Sequence, residues 1–331
     1  MSLTAEMTEN LLGLDAEAEI GRIATAVRDQ VSVRLRRKGV VIGLSGGIDS
    51  SVAAALCVRA LGPKRVLGIM MPEHDSSSDS ERLGRFLAQH LGIECILETL
   101  GPVLEAAGCY RRRDDAIRSV VPDYGPDDKS KIVLSNLLDG GVYRVFSVVV
   151  RRADGSEIKA RLPLEAYQTI VAATNYKQRV RKMTEYFHAD RLRYAVVGTP
   201  NRLEYDQGFF VKNGDGAADI KPIAHLYKTQ VYQLAEALGI PEEIRSRPPT
   251  TDTYSLEQSQ EEFFFSLPYH KLDVCLCAKN QGIPAAEVAE RVGLTVEQAE
   301  RVFADIDAKR SATNYLHRRP MLVDPVDEVG D

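Results

Sequence analysis

Apolar and polar residues along the chain follow two alternating periods. From Leu12 to Arg37 the apolar positions recur at helical spacing, whereas Val40 to Leu44 is a short unbroken apolar run of the kind that forms a buried strand. Ser45 to Ser51 is small and polar. An Ala-rich stretch, Val52 to Leu61, follows and is closed by Gly62 and Pro63, which act as helix-stop signals. The succession then repeats as strand Arg65 to Met71, a polar loop to about Ser80, helix Glu81 to Leu91 and strand Glu94 to Leu100. Such alternation predicts right-handed βαβ units and a doubly wound, Rossmann-like α/β fold, a parallel sheet with helices on both faces.

Residues 102–163 break the pattern. They hold the run Arg111-Arg112-Arg113, the loop-forming stretch Pro122 to Lys131, and two alternating segments, Tyr143 to Arg151 and Glu157 to Leu162, around the turn residues Ala153 to Ser156. This reads as an inserted β-hairpin region within a single α/β domain spanning 1–331. The alternation resumes with helix Thr174 to His188, strand Arg193 to Gly198, a Gly-rich loop to Asp219 and helix Leu226 to Leu238. Residues 270–331 read as a helical appendage and tail, with two short helices inside Ile283 to Lys309 broken at Gly293 and a capping box at Thr295 and Gln298. The spacing of that pair invites a helix-turn-helix reading. However, Glu297, Glu300, Asp305 and Asp307 on the second helix carry the wrong sign for phosphates, so a packing role is expected.

Composition narrows the class. The formal net charge of −5 gives no electrostatic support for gripping nucleic acid. No apolar run approaches the roughly 18 to 20 residues of a membrane helix, and the acidic start from Met1 to Asp15 lacks a leader pattern, so a cytoplasmic protein without membrane contact is expected. The five cysteines, Cys57, Cys95, Cys109, Cys275 and Cys277, are scattered and form no CxxC pair. They are expected to stay reduced and buried.

The chemistry concentrates in Gly43-Leu44-Ser45-Gly46-Gly47-Ile48-Asp49-Ser50-Ser51, placed between a predicted strand and a predicted helix. There, free backbone N–H groups and the positive helix end converge on one point, which suits an anion. The loop lacks the lysine of a Walker A motif and contains Asp49 instead. A carboxylate beside a phosphate is repulsive unless a cation stands between them, so the loop itself suggests magnesium. Further on, Lys177 and Arg181 stand one helical turn apart with Arg179 between them. Like charges at that spacing weaken a helix unless an anion faces them.

Ser45-Gly46-Gly47-Ile48-Asp49-Ser50 resembles the SGGxDS pyrophosphate loop of the N-type ATP pyrophosphatases, which adenylate a substrate and release pyrophosphate. The match narrows because Asn175 to Arg181 resembles the NxKxRxR segment of the ammonia-dependent NAD synthetases. Gly198-Thr199, Glu204, the run Gly208 to Asp219, Lys228-Thr229-Gln230 and Pro249-Thr250 also resemble segments of that family. His317-Arg318-Arg319 resembles its HKR segment, with Arg318 in place of lysine. The resemblance covers about Val40 to Leu100 and Thr174 to Gln260.

It implies ATP-dependent amidation of deamido-NAD to NAD through an adenylated carboxylate, with ammonia as nitrogen donor. By the same resemblance Thr199, Lys228 and Thr250 join residues 43–51 in holding ATP. Asp49 and Glu204 bind magnesium, Arg179, Lys212, Asp219, His317 and Arg318 hold deamido-NAD, and Asp49, Lys228 and Glu204 carry catalysis. A homodimer is implied too. With no room for a glutaminase domain before Val40, free ammonia or a separate glutamine amidotransferase is expected. The family generally keeps a short link where residues 102–163 stand, and smaller residues where Phe263-Phe264-Phe265 stands; that run is expected to be core or interface. These departures leave open an enzyme of the same superfamily acting on a different carboxylate. A nucleotide-binding protein without turnover is the reading of a different class.

Overall fold

The computed structural model describes residues 11–134, 146–248, 254–256, 264–265 and 267–326. Thr250, Phe263 and the first residues of the expected hairpin, Tyr143 to Val145, lie outside the described residues.

Helix α1 (Ala16–Asp29) starts at Asp15, whose carboxylate accepts the Ala18 N–H at 3.0 Å, and runs on as a π-helical turn to Arg34. Strand β1 (Val40–Gly43) leads through the small polar loop into α2 (Ile48–Leu61). That helix begins a turn earlier than the Ala-rich run suggested. Ser50 and Ser51 fold their hydroxyls back onto the Gly47 carbonyl at 3.0 and 2.8 Å, which lets polar residues occupy its buried first turn. Next come β2 (Val66–Met70), α3 (Ser78–Leu91), capped by the Ser77 hydroxyl, and β3 (Glu94–Leu97).

Two short helices, α4 (Gly101–Ala106) and α5 (Cys109–Arg118), precede the antiparallel strands β4 (Lys129–Leu134), β5 (Phe146–Arg151) and β6 (Glu157–Arg161). The turn joining the last two is closed by Arg152 N–H on Ser156 at 2.8 Å, with Gly155 at φ +86°. Helix α6 (Leu164–Leu192) is far longer than its sequence signal, because Ala166 and Ile170 at its start bury against Ile117, Ile132, Val148 and Val150 in a core shared with α5 and the small sheet.

The chain continues through β7 (Ala195–Val196), α7 (Arg202–Gln207), α8 (Lys228–Ala237), α9 (Glu242–Arg245), α10 (Tyr269–Asn280), α11 (Ala285–Val292) and α12 (Val296–Thr313). The last three form their own core with Leu12, Leu203 and Phe265. Gly293, at φ +66°, breaks α11 from α12, and Thr295 and Gln298 form the expected capping box. Asp305 and Asp307 are tied to Lys309 and Lys279 at 2.9 and 2.8 Å.

The main sheet is parallel, with strand order β3-β2-β1-β7. Side chains alternate across it. Val40 and Ile42 share a core with α1, α2, α3 and α8, whereas Val41, Leu67, Ile69 and Val196 meet Ala189 of α6 on the opposite face. From β1 the chain first winds outward to β2 and β3 and later returns to β7 on the other side. The strand order therefore reverses at β1, and the crevice beyond the carboxyl ends of β1 and β7 is where such folds bind ligands. Cys57 and Cys275 are buried thiols, and burial pushes both up to about 12. Among the described residues no helix is long and apolar enough to cross a membrane.

Candidate active site

The loop after β1 is shaped by what lies beneath it. Gly46 takes φ +72°, and a Cβ there would stand 2.8 Å from Leu83 Cβ and 3.2 Å from the Ser80 carbonyl, both on α3. Ser45 Oγ lies 3.1 Å from Ser50 Oγ and accepts the Gly47 N–H at 3.3 Å. The result is a tight bend whose small residues leave the N-terminus of α2 open to the cavity. Because the resemblance implies ATP on this loop, Gly46→Ala is expected to weaken ATP binding by roughly tenfold or more, since strain and collision act together. Gly47→Ala, which meets only Ser45 Oγ at 3.3 Å, should change little. Calorimetric titration with a non-hydrolysable ATP analogue distinguishes the two.

Asp49, on the first turn of α2, accepts from the Lys228 ammonium and from Asn201 Nδ2, the latter at 3.2 Å. Lys228 is nearly inaccessible, 2% exposed. Burial alone would lower its pKa, but the Asp49 and Glu204 carboxylates raise it, so the side chain is held as a cation. Asn201 also caps α7: its Oδ1 accepts the Glu204 N–H at 3.2 Å while Glu204 Oε2 accepts the Asn201 N–H at 3.1 Å. Asp49 and Glu204, the two carboxylates for which the resemblance implies magnesium, thus reach one site through a single asparagine.

Lys228 is held in turn by α10. Asp273 accepts the N–H groups of Lys228 and Thr229 at 3.3 and 2.6 Å and the Thr229 hydroxyl at 2.7 Å. Burial pushes its carboxyl up to about 6, against the lowering effect of the Thr229 hydrogen bonds. A raised folded-state value means that folding favours the neutral acid. This contribution is complete below the ordinary value of 3.8 and is lost as pH rises through about 6. The stability of the parent chain relative to Asp273→Asn should therefore fall by roughly 2 to 3 kcal/mol between pH 4 and pH 7. Urea midpoints for both chains across that range test it, and a difference that stays flat would be inconsistent with a protonated Asp273.

Asp49, Glu204 and Lys228 open into one cavity of about 540 Å³. Gly43, Leu44, Ser45, Gly47, Ile48, Asp49 and Ser50 line it, together with Thr199, Glu204, Lys228, Arg179 and Lys212. Gly46 and Ser51 lie behind this lining, the first against α3 and the second bonded to Gly47. Lys212 donates to the carbonyls of Tyr315 and Arg318 at 2.8 and 3.3 Å and accepts from Arg179 Nε at 3.3 Å through its own carbonyl. Asp219, His317 and Arg318 are not brought into the cavity. Asp219 accepts the Val196 N–H at 2.7 Å and the Tyr186 hydroxyl at 3.3 Å beside β7. The His317 ring meets Tyr205 and Phe210 edge-on, 4.8 and 5.1 Å away.

The expectation of an anionic ligand opposite Lys177 and Arg181 divides. Arg181 lines the cavity, whereas Lys177 is buried on Glu73 and Asp75, so the chain itself supplies its anions. Phe264 lines the cavity and stacks on Phe209 at 4.7 Å, and Phe265 sits in the C-terminal core.

Sequence reasoning overlooked Asn201, Asp273 and a buried pair on α6, Lys182 and Glu185, whose charged atoms are 2.5 Å apart at the cavity wall. Asn201 had a signal, since Asn-x-x-Glu before a helix is a capping-box pattern. Glu185 is buried and nearby Asp215 half-buried at the same wall, and burial raises the pKa of each.

Comparison with known proteins gives consistent results. A family model described as NAD synthase matches residues 19–119 and 154–314; the unmatched residues between them include β4 and β5. The NH(3)-dependent NAD(+) synthetase of Mesorhizobium japonicum is 62% identical over 94% of this chain and 98% of its own. Among solved structures, an NMN synthetase from Francisella tularensis aligns with TM-score 0.63 and 22% identity over 93% of this chain and 98% of its own. The NH3-dependent NAD synthetase of Campylobacter jejuni aligns with TM-score 0.61 and 20% identity over 94% and 100%. At these identities the two structures speak for the fold.

Proposed function

The chain belongs to the NAD synthase family, and from that premise we propose which of its residues perform the reaction. The reaction is the ATP-dependent amidation of deamido-NAD to NAD with ammonia, not amidation of another carboxylate. In it the nicotinate carboxylate attacks the α-phosphorus of ATP, the bond to the β-phosphate oxygen breaks, and pyrophosphate leaves. Ammonia then attacks the adenylated carbonyl and displaces AMP with loss of a proton.

In our reading the Ser45–Ser51 loop and the N-terminus of α2 receive the β- and γ-phosphates, which become the pyrophosphate. Lys228 places a fixed positive charge beside the phosphates, where negative charge shifts to the leaving oxygen. Thr199, which lines the cavity, completes the ATP site, and Thr250 joins it by the family resemblance alone. Arg179 and Lys212 take the dinucleotide, and Asp219, His317 and Arg318 meet it only where it extends past the cavity rim.

Two carboxylates that share a cavity with a phosphate loop are a hard oxygen donor set. That set fits magnesium, which commonly binds through one or two carboxylates with substrate phosphates and water filling the other positions. Asp49 and Glu204 would hold it, and when bound it neutralises triphosphate charge and polarises the α-phosphoryl group. We assign no single general base. Positioning and electrostatics supply the acceleration.

We further propose a homodimer in the cytoplasm, fed by free ammonia or by a separate glutamine amidotransferase. Met183 and Phe187, one turn apart on α6 and 59% and 62% exposed, support the dimer. The observation that carries the site assignment is the meeting of the phosphate loop, Asp49, Glu204 and Lys228 in one cavity. Enzyme with magnesium, ATP, ammonium and deamido-NAD should give NAD and AMP in equal amounts, and chelating the metal should stop both. Turnover undiminished by the chelator overturns the magnesium assignment.

A further inference from the structure

One buried charged cluster takes no part in the chemistry above. The Arg111-Arg112-Arg113 run lies in α5, and its last member turns inward: the Arg113 side chain is 9% exposed, reaches Asp75, and donates from Nε to Asp114 at 2.8 Å. Lys177 of α6, 1% exposed, pairs with the same Asp75 carboxylate and lies 3.1 Å from Glu73 Oε1. The Tyr110 hydroxyl donates to Glu73 Oε2 at 2.8 Å, and its ring stacks on His74 at 4.6 Å. Two cations and a phenol from α5 and α6 therefore converge on the turn Glu73 to Ser76, between β2 and α3. The turn is closed by Ser76 N–H on the Glu73 carbonyl and by Glu73 N–H on Ser76 Oγ, both at 3.0 Å.

None of Glu73, Asp75, Tyr110, Arg113 and Lys177 lines the cavity, but Pro72 and Ser76 do. Immediately beyond the turn, Ser77 caps α3, and the first turns of α3 press Ser80 and Leu83 against Gly46 of the phosphate loop. A mechanical chain thus runs from the buried ions to the bend that faces the nucleotide. Buried ion pairs add little net stability over apolar residues of the same volume. What they do impose is a single register, because a displaced turn would leave buried charges uncompensated.

We propose that Lys177 and Arg113 are positioning residues for the adenylation step. By gripping Glu73 and Asp75 they set the Pro72–Ser76 wall and, through α3, the phosphate loop at the height the triphosphate requires. The inference rests on the reading of this cavity as the ATP site.

The test is deamido-NAD-dependent exchange of labelled pyrophosphate into ATP, together with KM for ATP and for ammonium in the full reaction. Lys177→Met and Arg113→Met each raise KM for ATP and slow exchange by about tenfold or more, and ammonium KM stays within about twofold. Lys177→Arg recovers most of the loss. Stripping a buried carboxylate of its cation can unfold the chain, so Asp75→Asn combined with Lys177→Met removes both charges. Tyr110→Phe deletes one hydrogen bond and keeps the ring, and shows the same split in smaller measure. If these chains, folded by circular dichroism and urea midpoint, exchange pyrophosphate as the parent does, the positioning role is wrong. It is equally wrong if ATP and ammonium KM rise together. Asp49→Ala, run in parallel, separates the two levels: exchange that survives it means that the cavity is not the ATP site and that the underlying assignment has failed.

Discussion

Replacing Asp49 with alanine is expected to end production of NAD and AMP together, a loss of about a thousandfold or more. The carboxylate has two tasks here. It pairs with the buried Lys228 ammonium and accepts from Asn201 at 3.2 Å, and under our assignment it also holds the magnesium of the nucleotide. Removing it takes away the carboxylate paired with the Lys228 ammonium and leaves Glu204 to act on that cation. Loss of one partner of a buried pair typically costs about 3 to 5 kcal/mol, so the urea midpoint should fall as well. Asp49→Asn separates the two consequences. It retains an acceptor for Asn201 and most of the packing, yet cannot neutralise a metal, so it should be nearly as inactive and appreciably more stable than the alanine variant. Equal activity in the parent and Asp49→Ala would show that the metal assignment is wrong.

Lys228→Met should have the second-largest effect. The ammonium is presented at a helix start that Asp273 anchors from α10, and its cationic form is stabilised by Asp49 and Glu204. A preorganised charge of this kind needs no rearrangement when the pyrophosphate departs, and removing one such group typically lowers kcat by about a hundredfold to a thousandfold. Methionine keeps the length of the side chain, so the cavity should keep its shape. Single-turnover formation of AMP is the direct readout. A kcat that holds while only KM for ATP rises would mean that Lys228 binds the ground state and the transition state alike. Lys228→Arg should not rescue: its planar fork needs more room than a fully buried site beside Asn201 provides.

The uneven legibility of this chain has a physical pattern. The bend from Ser45 to Ser51 is a local structure. A strand, three small residues with one at positive φ, and a helix start already aim N–H groups at an anion, wherever the rest of the chain goes. The parallel sheet was legible for a similar reason, since apolar runs alternating with amphipathic stretches leave few other ways to bury both sheet faces. The limits of α6 were not. The sequence reading began this helix at Thr174, whereas it starts at Leu164, where Ala166 and Ile170 pack on α5 and the small antiparallel sheet.

Lys177 shows where pattern reading stops. Two cations one turn apart do imply an anion opposite, but the sequence cannot say whether that anion is a ligand or another part of the chain. Here it is Glu73 and Asp75 for Lys177, whereas Arg181 lines the cavity near Glu185 and Asp215. Asp273 is more remote still, a single acid in an apolar helix whose partners stand 44 and 45 residues earlier.

By itself, then, the sequence determined the Ser45–Ser51 bend, the order of the main elements, and the set of polar side chains available for chemistry, because these depend on neighbours a few positions apart. Tertiary structure alone decided which of those side chains meet. It buried Lys228 against Asp49, joined Asp49 to Glu204 through Asn201, and turned Lys177 and Arg113 inward onto a turn of the cavity wall. Charge pairing and burial are properties of distance in space, and a one-dimensional pattern records which groups exist without recording how far apart folding will place them.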